Sequence, residues 1–207
     1  MKKKLLSAVV LGALSLVGCG GNDTTTPQTP SVPKFDTADN IRNYLEGKAL
    51  VMEGTNIPSF PNGYDEDVNY GAATQCYQKV QITVSSGSFH VSSNLATLRD
   101  APAVFNKGTC DHEAVSGVQN FDSTAVLIEN VAADASCFDI SVTYPGFKQV
   151  GRGKLSADGK QITLELYFEG KATGNTCKDG AVGSQTVTVN GQPLAGDAQQ
   201  VYAVSAQ

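Results

Sequence analysis

Five cysteines and two histidines carry most of the reactive chemistry open to this chain. They are Cys19, Cys76, Cys110, Cys137 and Cys177, with His90 and His112. A thiol can be acylated, oxidised to a disulfide, used as a nucleophile or bound to a metal, and spacing separates these uses. Cys19 stands apart, closing an apolar run that follows Lys2, Lys3 and Lys4. The other four lie far from one another with no CxxC pair. Zinc sites usually show close paired ligands, so these four read as two disulfides of an exported domain. No metal and no cofactor is expected.

The start of the chain has the three parts of an export leader: charged Lys2 to Lys4, apolar Leu5 to Ser15, and a processing site at Leu16 to Cys19. The apolar part is too short to span a bilayer, which takes about 20 residues. Leu16-Val17-Gly18-Cys19 resembles the lipobox of bacterial lipoproteins. An ordinary secretory site wants a small residue where Leu16 stands. The resemblance implies that residues 1–18 are a signal peptide and that Cys19 receives a diacylglycerol and becomes residue one. Gly20 follows where Asp would imply retention in the inner membrane. This implies a lipid anchor in the outer membrane of a bacterial envelope, on its periplasmic or its surface face. One acyl chain anchors marginally, at about 0.8 kcal/mol per buried methylene; the two or three chains of a lipoprotein would hold firmly.

Loss of Lys2, Lys3 and Lys4 takes the net charge from −5 to −8. Phosphate recognition needs clustered Lys and Arg, so nucleic acid is not an expected partner. Residues 19–34 carry the lipidated Cys and a linker rich in Thr, Pro and Gly. Such a segment buries too little apolar surface to offset its ordering entropy, and its prolines make it an extended spacer. Residues 35–207 are long enough for one domain with a real core.

Other candidate chemistry is sparse. Asp65, Asp67 and Asn69 resemble the opening of an EF-hand loop, where alternate oxygens converge on Ca²⁺. The pattern then fails, with Tyr70 at the glycine position and Cys76 at the final glutamate position. It reads as a solvated acidic loop. Phe60, Tyr64 and Tyr70 lie in a long aromatic loop that could rim a ligand or partner site or cap the core. His112 sits in Asp111-His112-Glu113 and reads as a loop residue beside a disulfide. His90, between Phe89 and Val91, points to the polar face of its strand. No G-x-S-x-G elbow accompanies either histidine, so no enzyme is expected.

These residues must be positioned by the elements between them. Asp36 to Glu46 reads as a short helix with Ala38, Ile41, Tyr44 and Leu45 on one face and Gly47 at its end. It is expected to be a lid on the domain. From Ala49 the period changes to two. Val80, Ile82 and Val84 alternate with Lys79, Gln81 and Thr83, and Phe89 and Val91 follow the turn Ser85 to Ser88. Phe138, Ile140, Val142 and Tyr144 lead to a Pro145-Gly146 turn, which suits Pro at the first central position and Gly at the second. Asp158-Gly159 marks a hairpin. Beyond it, Ile162, Leu164, Leu166 and Phe168 oppose Thr163, Glu165 and Tyr167 on an expected wet face. Weaker strands lie near Gln185 to Val189 and Gln199 to Val204, separated by Asn190-Gly191.

This predicts a mainly β domain: a single antiparallel barrel or sandwich of about 8–9 strands with one short N-terminal helix. The helix, strand and meander are similar to lipocalin-like, calycin-type barrels. Gly47-Lys48-Ala49 stands where that family has Gly-x-Trp, and no binding residue is carried over. Four cysteines allow three connectivities. A strand that leaves from Cys76 and returns can bring Cys110 back beside it, and Cys137–Cys177 then follows by elimination. That second pair requires Gly170 to Thr176 to fold back along the sheet. Loops of about 35 to 40 residues would each contribute roughly 3.5–4 kcal/mol in the chain-entropy model.

Two roles fit. In one, large side chains fill the barrel and its loops or a free edge dock an envelope protein. In the other, a cavity behind Val80, Ile82, Ile140, Val142, Leu164 and Leu166 carries a small apolar or amphipathic ligand. The large size of these inward residues inclines the reading to the first. For the anchor, Cys19→Ser should abolish incorporation of radiolabelled palmitate; label retained by the variant would exclude the lipobox reading.

Overall fold

The computed structural model describes residues 33–57, 64–65, 76–99, 107–194 and 199–207. The leader, most of the linker, Phe60, Asp67, Asn69 and Tyr70 lie outside the described residues. Helix α1, Ala38–Leu45, begins where the Thr37 hydroxyl accepts the Asn40 N–H at 3.1 Å. Its apolar stripe is short because only Ile41 and Leu45 are fully buried. Beyond it, the Glu46 carboxylate accepts the backbone N–H groups of Ser86 and Gly87 at 2.6 and 3.2 Å. The helix end is thereby tied to a hairpin tip some 40 residues on.

The strands are β1 (Lys48–Glu53), β2 (Tyr64–Asp65), β3 (Tyr77–Ser85), β4 (Ser88–Arg99), β5 (Lys107–Asp122), β6 (Ala125–Glu129) and β7 (Phe138–Tyr144). Then come β8 (Phe147–Leu155), β9 (Gln161–Phe168), β10 (Ala172–Thr173), β11 (Thr188–Val189), β12 (Gln192–Pro193) and β13 (Gln200–Ala206). Nine of them form one antiparallel sheet in the order β5-β4-β3-β1-β13-β9-β8-β7-β6. It curls into a half-barrel, and β2 pairs with the start of β5. Of the two expected architectures the structure shows the barrel-like one, as an open half-barrel. β13 lies between β1 and β9, so the C-terminal strand joins the two hairpin runs.

The alternation puts Val80, Ile82, Val84, Phe89, Ile140, Val142, Ile162 and Leu164 into one buried cluster on the concave face. Ile41 and Leu45 of α1 join the same cluster, so the helix is packed as a lid. Pro145-Gly146 makes the β7–β8 turn, with Gly146 at φ 92°, as the second central position of a type II turn requires. At Gly153 on β8, a Cβ would lie 2.7 Å from the Phe138 ring, so glycine there is what lets that ring pack. Asn190-Gly191 does not separate two long strands. It closes the small β11–β12 hairpin, which belongs to a second sheet of order β10-β11-β12.

That second sheet corrects one expectation. Thr163, Glu165 and Tyr167 are buried, and so is Arg152. The chain from 170 to 194 folds back over the convex face of β8 and β9, covering the side that alternation assigns to water. Tyr167 packs with Val187 and Val189 beneath it. Arg152 is fully buried and donates from Nε to Glu165 at 2.6 Å. Its Nη1 donates to the Gly180 carbonyl at 2.6 Å and to the Thr186 hydroxyl at 3.1 Å, and its Nη2 to the Ser184 carbonyl at 3.1 Å. Glu165 also accepts the Gly183 N–H at 2.7 Å. A buried ion pair adds little over an apolar pair, but a lone buried charge is costly. Arg152→Met, which strands the Glu165 carboxylate, should lower stability by about 3–5 kcal/mol in urea melts with the disulfides intact. Adding Glu165→Leu should recover part of that loss, and a double variant no better than the single would mean that the ion pair does not hold this flap.

Candidate functional site

Two disulfides staple the half-barrel. Cys76 is bonded to Cys110 and Cys137 to Cys177. Cys76 precedes β3 and Cys110 lies in β5, with β4 between them. Residues two strands apart are normally about 10 Å from one another. Here the Cα atoms are 5.6 Å apart, because the β4–β5 register breaks on both sides of Ala96, and that small residue is buried between the two half-cystines. The Cys137–Cys177 bond ties the start of β7 to the flap, where Asp139 accepts the Cys177 N–H at 2.7 Å.

Each histidine has a structural partner among the described residues. His112 is not in a loop; it sits in the irregular stretch of β5 between Asp111 and Val115. Its Nδ1 donates to the Tyr77 carbonyl at 2.7 Å and lies 3.5 Å from the Cys110 sulfur, so the ring braces the same staple. His90 faces Asp122 at 2.9 Å on the exposed side of β4. Asp65 and Tyr64 form β2, whose backbone pairs with Lys107 and Gly108. No three metal-capable side chains converge among the described residues.

The sheet instead brings together a cavity of about 170 Å³ on the concave face. β3 and β9 contribute Val80, Ile82 and Leu166, three of the residues expected behind a cavity. Ile140, Val142 and Leu164 do not line it and pack into the solid part of the core. The mouth is aromatic. Tyr144 and Phe147, one on each side of the Pro145-Gly146 turn, stack with ring centroids 4.6 Å apart. Phe121, from the opposite side of the half-barrel, meets them edge-on at 6.2 and 5.8 Å, and Phe168 meets Phe147 at 5.7 Å. Phe121 is 38 % exposed, so the ring cluster borders solvent.

Among the described residues, the polar groups in this cavity are few and uncharged: Ser93, Gln119, Gln149 and Gln200 contribute them, together with tyrosines, and no Asp, Glu, Lys, Arg or His lines it. Burial raises the Tyr144 hydroxyl well above its ordinary value. Burial, helped by Tyr77 and Tyr144, does the same for Tyr202. Both therefore remain protonated at neutral pH. Gln200 is 1 % exposed; its Oε1 accepts from the Tyr202 hydroxyl at 3.2 Å, while its Nε2 has no acceptor among the described residues.

Sequence reasoning missed the Phe121, Tyr144, Phe147 and Phe168 cluster and the buried glutamine. The Tyr144-Pro145-Gly146-Phe147 turn was a signal for half of it, since a tight turn sets its flanking rings side by side. No family model, curated protein or solved structure matches the chain.

A raised folded-state pKa of an acid favours folding below the unfolded value and loses that contribution as pH rises through the folded one. Stability should therefore decline above about pH 10, the ordinary tyrosine value. Tyr202→Phe should flatten that decline. Alkaline melts of the two proteins check this, and parallel curves would exclude Tyr202 as a cause.

Proposed function

We propose that this protein is a lipid-anchored envelope protein whose disulfide-stabilised half-barrel acts by binding and not by catalysis, holding a small apolar or amphipathic ligand in its concave cavity. Cys19 is the anchor, residues 19–34 the spacer, and the outer membrane the site of attachment. Nucleic acid is not a partner in this reading. The observation that carries it is the cavity itself: apolar walls, an aromatic mouth and a few uncharged polar groups, which is the usual make-up of a small-molecule site. At about 170 Å³ it suits a molecule smaller than a typical drug-sized ligand. The two disulfides support an oxidising compartment.

A second reading, docking of an envelope protein, is favoured by a different observation. On the outer edge of β5, only Gly108 and Lys107 are paired among the described residues. Val115 and Val118 on the same strand are 48 % and 59 % exposed. A free edge with apolar side chains is a template for an added strand.

Toluene separates the two readings. Titrated against the full chain in lipid nanodiscs, with empty nanodiscs as reference, it should give saturable NMR shifts at Phe89 and Phe147. Val91→Trp, which fills the cavity from β4, should remove them. Shifts that do not saturate, or that survive in the Val91 variant, would overturn the cavity reading and leave docking.

A further inference from the structure

We propose that Gln200 is the polar anchor of the cavity, and that the ligand is a small neutral molecule with an apolar body and a carbonyl group. This inference rests on the ligand-binding reading above and adds the chemistry of the ligand.

Gln200 stands on β13 opposite Leu164 of β9, and it lines the cavity beside Leu166 and Tyr202. Its carboxamide is half used. The Tyr202 hydroxyl donates to Oε1, which fixes that end of the amide, and the Nε2 donor has no acceptor among the described residues. A buried donor without an acceptor costs stability, so the Nε2 end of this amide is a cost to the fold by itself. Such a cost is retained at binding sites, where a ligand supplies the missing partner. What Nε2 lacks is an acceptor, and a carbonyl oxygen provides one without bringing a hydrogen that would itself need a partner.

The walls decide the rest. Val80, Ile82, Phe89 and Leu166 offer apolar surface. Among the described residues no charged side chain lines the cavity, so a carboxylate or an amine would be desolvated there without a counter-charge from them. This favours ketones and esters over fatty acids. The aromatic mouth of Phe121, Tyr144 and Phe147 borders solvent and covers the body of a ligand whose carbonyl points inward at Gln200.

Cyclohexanone and methylenecyclohexane test this, because they have nearly the same shape and only the ketone accepts a hydrogen bond. Both are titrated against the full chain in lipid nanodiscs with ¹⁵N-labelled glutamine. Cyclohexanone should bind about tenfold more tightly, the size of one good hydrogen bond, and should shift the Gln200 side-chain amide signal. In Gln200→Met, which also takes the acceptor away from the Tyr202 hydroxyl, the two affinities should converge to within about twofold. If Gln200→Met does not fold, the pair of affinities and the amide signal of the unaltered chain still decide. Equal affinities with saturable toluene binding overturn the carbonyl anchor and leave the ligand-binding reading standing. Saturable binding of none of the three probes overturns both.

Discussion

The buried guanidinium of Arg152 is the constraint around which the outer half of this domain is arranged. An arginine has five N–H groups and cannot lose its charge, so it is buried only where acceptors surround it. One carboxylate, from Glu165, is supplied by the facing strand, because β8 and β9 pair Arg152 directly opposite Glu165. The remaining acceptors are the carbonyls of Thr176, Gly180 and Ser184 and the Thr186 hydroxyl. Those groups are brought in by a flap with little regular structure of its own. The flap is held by this polar knot, by the Cys137–Cys177 bond, and by a small apolar contact under Tyr167.

The consequence is an asymmetric sheet. At β8 and β9 both faces are covered, which makes this side of the half-barrel its most fully buried part. At β5 the situation is reversed. Its register with β4 breaks around Ala96, and its outer edge is paired by β2 at two positions among the described residues. The Cys76–Cys110 bond and the His112 hydrogen bond to Tyr77 gather that side together across β4. Each end of the curled sheet is thus secured by its own disulfide, and the concave face between them is left with room. A closed barrel would pack its two ends against each other; an open one bridged by Phe121, Tyr144 and Phe147 leaves the cavity beneath those rings.

Inside that cavity one residue stands out against its surroundings. Gln200 occupies a place where a leucine or methionine would bury more apolar surface, and its own Nε2 has no acceptor among the described residues. Tyr202, its neighbour on the same face of β13, spends its hydroxyl on the glutamine oxygen. The pair orients a neutral donor in a largely apolar space.

Much of the scaffold was legible in the sequence. The period-two runs of β3, β7 and β9 are read correctly on their concave side, because burial of one face leaves a pattern that neighbours in sequence reveal. The Ala38–Leu45 helix and the Pro145-Gly146 turn follow from local backbone preferences, and the even count of cysteines beyond Cys19 points to disulfides. What sequence alone could not yield lies wherever distant segments meet. The polar face of β9 looks solvated until residues 170–194 cover it, although the Asp158-Gly159 hairpin register already pairs Arg152 with Glu165. β5 was missed because its breaks in register destroy the alternation that marks a strand. The openness of the sheet, the aromatic bridge and the unpaired amide of Gln200 depend on curvature and on contacts between far-apart strands. Periodicity records which face a residue takes; only the folded sheet decides what lies across from it.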